Sequence, residues 1–400
     1  MTEKMKPSGI EWIKDIPKSW KMSKVKFMAT EADTLFLDGD WIESDVIEES
    51  GIRYLTSGNV GAGFYKNQGS GYISEKTFRD LHCLKVYPGD LMISRLNEPI
   101  GRACIIPQDE PYYVVAVDNV ILRPNKEFDR KFIMYAMNTE GYAEYGNMIA
   151  RGATMSRVSR SQLGQFWLAF PDIVEQCAIA DFLDIQCTKI DSMIEDIEKQ
   201  IDILQKHKKS LIFEKITSKK INWKYGRIKD LMTLQRGYDL PQEEFVSGDI
   251  PVYGSNGVIG YHNISTTSGP CVTIGRSGSV GALNYVECDF WAHNTAIFIS
   301  NSKGNHIRYL YYVLQSFDIK ELANGSAVPT LDRKKVESVH LYFTSNKSEQ
   351  REIAKYLDVN IKKIDEIITM KQKQLEIIQK HKKSLIYEYV TGKKRVMEEK

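Results

Sequence analysis

The chain has 400 residues, of which 42% are apolar and 26% charged, with 27 Gly and 12 Pro. That length suits roughly two to four domains, and the composition excludes a disordered or collagen-like polymer. The 54 Lys and Arg against 52 Asp and Glu leave a net charge of only +2, so any nucleic-acid binding requires basic groups gathered on one surface rather than a general excess.

No apolar run approaches the ~20 residues of a bilayer helix, and the first residues alternate charged with apolar groups, so neither a membrane span nor a signal peptide is expected. The cysteines, Cys83, Cys104, Cys177, Cys187, Cys271 and Cys288, form no C-x-x-C pair and have no histidine at zinc-ligand spacing. Reduced, mostly buried thiols in a cytoplasmic protein are the expectation, with no metal site.

In chain order, a segment opening at Trp20-Lys-Met-Ser-Lys-Val-Lys26 leads into short β-like runs around Tyr54-Leu55, Leu91-Met-Ile93 and Tyr112 to Val117, punctuated by Gly and Asn. A short helix is predicted over Arg130 to Met137, followed by Gly152-Ala-Thr-Met-Ser-Arg-Val-Ser-Arg160. From Glu175 onward the pattern changes to a long stretch without Gly or Pro, rich in Ile, Leu, Lys, Gln and Glu, which reads as helix.

The second half repeats the scheme. Trp223-Lys-Tyr-Gly-Arg-Ile-Lys229 opens it, β-like runs follow at Pro251-Val-Tyr253, Cys271-Val-Thr-Ile274 and Ala296-Ile-Phe-Ile299, and a helix is predicted over Ile307 to Leu314. Gly325-Ser-Ala-Val-Pro-Thr-Leu-Asp-Arg333 closes the globular part. Glu349 to Lys394 then aligns without a gap on Glu175 to Lys220, with about 25 identities in about 46 positions. The chain is an internal duplication.

Both helical copies carry a heptad. Its seam in the first is Leu183, Ile190, Ile194, Ile197, Ile201, Leu204 and Leu211, and in the second Leu357, Ile361, Ile364, Ile368, Leu375, Ile378 and Leu385. A seven-residue repeat of that length implies left-handed coiling against a partner helix, and the natural partner for each copy is the other. The expected fold is α+β: two similar domains joined by two long antiparallel coiled-coil helices with pseudo-two-fold symmetry. The expected boundaries are 1–170 and 219–345 for the domains, and 171–218 and 346–400 for the helices with the C-terminal tail.

No phosphate loop, dinucleotide fingerprint, nucleophile elbow or H-E-x-x-H occurs. The N-P-P-[FYW] motif of many DNA amino-methyltransferases is missing too, which argues against catalysis by this chain. What the domains offer is Arg, Asn, Ser and His beside Gly in loops. The candidates are Lys66, Asn67, Arg95, Asn97, Arg102, Arg151 and Arg157 in the first half, and Arg236, Tyr238, Asn256, Arg276, Ser277, His293 and Asn294 in the second. Arg can hydrogen-bond guanine twice and Asn adenine twice, while neighbouring Gly lets backbone approach a phosphate. Arg95 before Ile100-Gly101 and Arg276 before Val280-Gly281 match imperfectly, with spacings that differ by one residue.

Together these residues resemble the DNA specificity subunit of type I restriction-modification systems. The resemblance rests on the two Trp-Lys openings, Gly89-Asp-Leu-Met-Ile-Ser-Arg95, the closing stretches at Gly152 and Gly325, and Glu175-Gln176 and Glu349-Gln350 leading the repeated helices. It departs in having Gly269-Pro-Cys-Val-Thr-Ile-Gly-Arg276 in place of a Gly-Asp run, and Thr344-Ser-Asn-Lys-Ser before Glu349.

The resemblance implies a non-catalytic, cytoplasmic subunit with no cofactor of its own. Each domain reads one half of a split site in double-stranded DNA, and the helices set the gap. Its implied partners are two methyltransferase subunits that use S-adenosylmethionine, together with motor-nuclease subunits that use ATP with Mg. Exposed helix residues such as Phe213 and Tyr387 are candidates for meeting them. The alternative from another class is a duplicated carbohydrate- or protein-binding adaptor on a coiled-coil rod.

Overall fold

The computed structural model describes residues 4–69, 71–96, 98–150, 156–218, 220–325 and 329–396. The chain forms two compact units. One comprises Met1–Glu195 with Leu375–Lys400, the other Asp196–Gln374. Each unit therefore draws on both long helices.

In the first unit a four-stranded antiparallel sheet is built from β1 (Leu35–Asp38), β2 (Leu91–Ser94), β3 (Ala103–Ile105) and β4 (Asn119–Arg123), in the order β1-β4-β2-β3. In the second unit β5 (Thr233–Arg236), β6 (Cys271–Gly275), β7 (Leu283–Val286) and β8 (Ala296–Asn301) make a sheet of the same topology, β5-β8-β6-β7. Each unit adds a three-stranded sheet with one antiparallel and one parallel pairing, centred on Ile52–Leu55 and on Ile250–Gly254. The duplication, weak in the sequence of the domains, is complete in their topology.

The Trp-Lys openings are structural. Lys21–Lys24 pairs antiparallel with Trp167–Phe170, and Lys224–Arg227 with His340–Phe343, so each domain is closed by the strand just before its long helix. Trp20 and Trp223 are buried beside these strands.

The long helices are α2 (Ile173–Thr217, 45 residues) and α4 (Lys347–Val390, 44 residues). Asp172 caps the first by accepting from the Glu175 N–H at 2.9 Å, and Asn346 caps the second by accepting from Ser348 and Glu349. Gly392, at φ +70°, follows the end of α4, where an added Cβ would lie 2.3 Å from Pro17 Cδ.

Within the first unit the rings of Phe182 and Tyr389 lie 4.6 Å apart, and the Lys382 ammonium donates to Asp191 at 2.6 Å. Residue numbers rise along one helix as they fall along the other, so the segments run antiparallel. In the second unit Lys208 donates to Asp365 at 2.7 Å and the Lys215 ammonium stands 5.2 Å from the Tyr356 ring centroid, the same contacts with the copies exchanged. Lys208 and Lys382 fall at seam positions, and pairing with a carboxylate is what lets a cation sit there. Half-exposed pairs of this kind contribute little stability, but they specify register. The apolar seam residues are all buried or half-buried.

Each domain core runs directly into these helices. Phe132, Tyr142, Phe166 and Leu168 share one cluster with Ile179, Leu183 and Val390, and Leu310, Tyr312 and Val313 share another with Ile212, Ile216, Leu357 and Ile361. The short helices α1 (Arg130–Met137) and α3 (Ile307–Gln315) lie where the domains meet the long helices.

Candidate nucleic-acid interface

The repeated Glu-Gln and Leu-Asp pairs attach each domain to its helix. Gln176 is buried. Its Oε1 accepts from the Asp129 N–H at 2.9 Å, and its Nε2 donates to the carbonyls of Glu127 and Pro171, each at 3.0 Å. Gln350, equally buried, accepts from the His306 N–H at 2.8 Å and donates to Asn305 Oδ1 and the Thr344 carbonyl. Two turns further on, Asp184 accepts from Lys131 and Tyr135 at 2.6 and 2.7 Å, while Asp358 accepts from Arg308 and Tyr312, both at 2.6 Å. Burial first, and then the neighbouring carboxylate, raise the pKa of both tyrosines, which stay protonated donors.

From this base the sheets carry their loops outward. After β2 the chain turns at Arg95, whose N–H donates to the Asp118 carbonyl at 3.0 Å and whose carbonyl accepts from Val158 at 3.1 Å. After β6, Arg276 repeats this, donating to Thr295 at 2.8 Å and accepting from Leu331 at 2.8 Å. Both loops close with the same bond, Gly101 N–H to the Ser94 carbonyl and Gly281 N–H to the Gly275 carbonyl, and both glycines have positive φ. Arg95 and Arg276 are therefore equivalent, and the unequal spacing is one extra residue in the first loop.

Their surroundings differ. The Arg95 side chain is buried: its guanidinium reaches the carbonyls of Val117 and Val158, and its Nε lies 3.2 Å from Asp38. That is the environment of a strut rather than of a group facing solvent. Arg102 is half-buried, and its guanidinium donates to the carbonyls of Ser57, Val60, Leu96 and Pro99 at 2.9–3.2 Å, which braces two loops together. Burial lowers its pKa.

Lys66 and Asn67 are exposed on a loop that the buried Asn59 shapes by donating to the Lys66 and Gln68 carbonyls. Arg157 is exposed and lies 3.1 Å from Asp118. Asn97 and Arg151 lie outside the described residues.

In the second domain several candidates come together at one corner. Arg236, Gly237 and Tyr238 run directly beneath His293 and Asn294; a Cβ on Gly237 would lie 2.1 Å from the His293 carbonyl. Asp239 holds this corner by accepting from Asn294 and pairing with Arg236 at 3.3 Å, and Trp291 stands edge-on to Tyr238. Gly39 makes the same crossing in the first domain, with its Cβ position 2.2 Å from the Val115 carbonyl. Arg276 and Arg236 line one cleft, with Ser277 beside it, while Asn256 is exposed on the turn between Ile250–Gly254 and Gly257–His262.

The residues that sequence reading passed over are the carboxylates that hold the arginines, Asp38 and Asp118, and the clamps Gln176, Gln350, Asp184 and Asp358. The clamps were visible as repeated letters, but a repeat alone does not say that a residue is buried. Among the described residues no group of His, Cys, Asp and Glu is arranged to hold a metal ion, and no helix is long and apolar enough to cross a membrane.

Comparison with known proteins agrees with this architecture. Residues 220–377 match the family profile of the type I restriction modification DNA specificity domain. The putative type I restriction enzyme MjaX specificity subunit of Methanocaldococcus jannaschii is 24% identical over 82% of this chain and 83% of its own length. The MjaIX specificity subunit of the same organism is 22% identical over 96% of this chain and 95% of its own length.

Among solved structures, a chain from a study of complex assembly and conformational transition of the type I R-M system superposes with a TM-score of 0.76 at 12% identity, covering 94% of this chain and 98% of that one. The HsdS subunit from Thermoanaerobacter tengcongensis superposes with a TM-score of 0.56 at 12% identity over 94% and 98%. These two establish the shared fold. With the domain profile matched in the second half, relatives of one kind aligned along most of the chain, and the same topology built twice, the chain is similar throughout to type I restriction-modification specificity subunits.

Proposed function

We propose that this chain is the DNA-reading subunit of a type I restriction-modification assembly. Residues 1–170 and 219–345 act as two reading heads, each for one half of a split site, and the helical segments 171–218 and 346–400 set the gap between the halves. The observation that carries the reading is the double construction: two loop sets placed by the same sheet topology and clamped by the same Gln and Asp on antiparallel helices. A duplicated reader suits a ligand that presents two related sites at a fixed spacing, which duplex DNA does.

In this reading the chain performs no chemistry. Two methyltransferase subunits supply adenine methylation from S-adenosylmethionine, and motor-nuclease subunits supply ATP- and Mg-dependent translocation and cleavage. Exposed apolar side chains recur at matching positions of the two helices, Ile185 with Val359, Met193 with Ile367 and Ile203 with Ile377, which supports two like partners. The test is to map methylated bases on DNA modified by this chain together with its methyltransferase partner. A bipartite motif with a constant gap is the expected result; a continuous motif, or methylation by the chain alone, refutes the reading.

A further inference from the structure

Three positions at the tip of each sheet correspond between the domains, and at one of them the charge is reversed. In the first domain Asp38, at the end of β1, lies between two arginines: Arg95 Nε at 3.2 Å and Arg160 Nε at 3.4 Å. Arg160 also donates to the carbonyl of Phe36 in β1. In the second domain Arg276 occupies the place of Arg95. Arg333 occupies that of Arg160, opening the corresponding short helix and donating to the carbonyl of Leu234 in β5 at 3.0 Å.

The strand registers, Asp38 opposite Val120 and Arg236 opposite Ile297, put Arg236 where the first domain has its aspartate. An internal carboxylate between two arginines thus becomes a third arginine. The three arginines line a cleft of about 270 Å³ together with Asn324, Thr330 and Asp332.

Among the described residues no carboxylate of the second domain bridges two arginines as Asp38 does. Among the described residues Arg276 forms no ion pair. Arg236 is paired only with the exposed Asp239 at 3.3 Å, and Arg333 stands 3.7 Å from Glu337. Asp332 is committed to its own helix, accepting from the Lys334 N–H at 2.9 Å. An anion entering the cleft would take the bridging place that Asp38 holds in the first domain, with charge-assisted hydrogen bonds that a neutral base edge matches less well.

We propose that the Arg236–Arg276–Arg333 cleft binds a phosphate of the DNA backbone where the first domain has Asp38, so that the second domain holds its half-site by an ionic contact that the first domain satisfies internally. The proposal rests on the DNA-reading role above. It assigns Arg276 to positioning on the backbone rather than to base recognition.

The test measures binding of the full chain to a panel of duplexes of differing sequence, each by fluorescence anisotropy across a salt series. Each phosphate contact contributes about 0.9 to the slope of log K against log salt. R276A is expected to make the slope shallower by about one, equally for every sequence. R236D, which puts a carboxylate between Arg276 and Arg333 as in the first domain, is expected to do the same. If the parent weakens with salt while both variants keep its slope, the phosphate site is overturned. If R276A changes which sequences are preferred, Arg276 is a base contact, and the proposal is equally overturned. A parent whose binding ignores salt refutes the DNA role itself, and the phosphate site with it.

Discussion

Replacing Gln176 with alanine removes the clamp between the first domain and its helix. The side-chain amide makes three hydrogen bonds, one accepted from the Asp129 N–H and two donated to the Glu127 and Pro171 carbonyls, and the residue is only 1% exposed. Water cannot reach the abandoned groups, so the net worth of about 1 kcal/mol per bond sums to about 3 kcal/mol. Asp129 is also the N-cap of α1, accepting from the Phe132 N–H at 2.8 Å, so losing its anchor loosens that helix.

Because the chain holds two compact units, one global unfolding energy is the wrong observable, and hydrogen exchange resolved by segment is the right one. Amides of Arg130–Met137 should exchange roughly 100-fold faster in Q176A, since every 1.4 kcal/mol is tenfold. Those of Ile307–Gln315 should be unchanged, and Q350A should show the reverse pattern. Gln176→Glu keeps the acceptor but turns a charge toward two carbonyls, so it should do no better than alanine. The control is K383A, which breaks a surface pair with Glu140 whose side chains are 60% and 65% exposed, and which should cost less than about 1 kcal/mol. A Q176A protein that loosens both domains alike, or no more than K383A does, refutes the clamp.

Glu349 gives a pH dependence. Burial works against its charge, but hydrogen bonds from Thr344, Lys220 and Trp223 outweigh it and hold the carboxyl below its usual pKa. A carboxylate whose folded pKa is depressed lends stability above its unfolded value, and that stability is lost as pH falls through the folded one. Acid melting of the second unit should therefore soften at the acid end, and E349Q should flatten that arm.

G237A is expected to collapse the loop corner of the second domain, because the new Cβ would meet the His293 carbonyl, and G39A should do the same for the first. In methylation mapping each should spoil one half-site only. R95A removes the buried guanidinium that ties Asp38 to the Val117 and Val158 carbonyls, and is expected to destabilise the first domain by about 2 kcal/mol in segment-resolved exchange. An unchanged exchange profile would return Arg95 to the set of direct readers. Four residues inserted after Gln200 and after Gln374 add about 6 Å and roughly 40° of helix, nearly two base pairs of duplex at ~3.4 Å each. The gap should lengthen by about one or two base pairs, with the half-site bases unchanged. A folded variant that keeps its gap would show that the helices are not the spacer.

The sequence by itself determined what is periodic or repeated. The helices were legible because α2 contains neither Gly nor Pro and the seam returns every seven residues, a local pattern that packing only has to accept. The duplication, the two short helices that close the domains, and the absence of catalytic motifs were equally open to reading, since each is a property of neighbours along the chain. Arg95 and Arg276 could be paired by eye, even across loops of unequal length.

Only the tertiary structure decided what those arginines face. Asp38 and Arg95 are far apart in the chain, and Arg236 and Arg276 nearly as far. Whether a guanidinium meets a carboxylate or an open cleft depends on which strands pair and in which register. The same holds for Gln176 and Gln350: a polar residue leading a helix is ordinarily solvated, and only the docking of a domain against it turns that amide into a buried clamp. Periodicity is written locally, whereas charge compensation is a property of contacts, and it is there that the two domains, alike in fold, become chemically different.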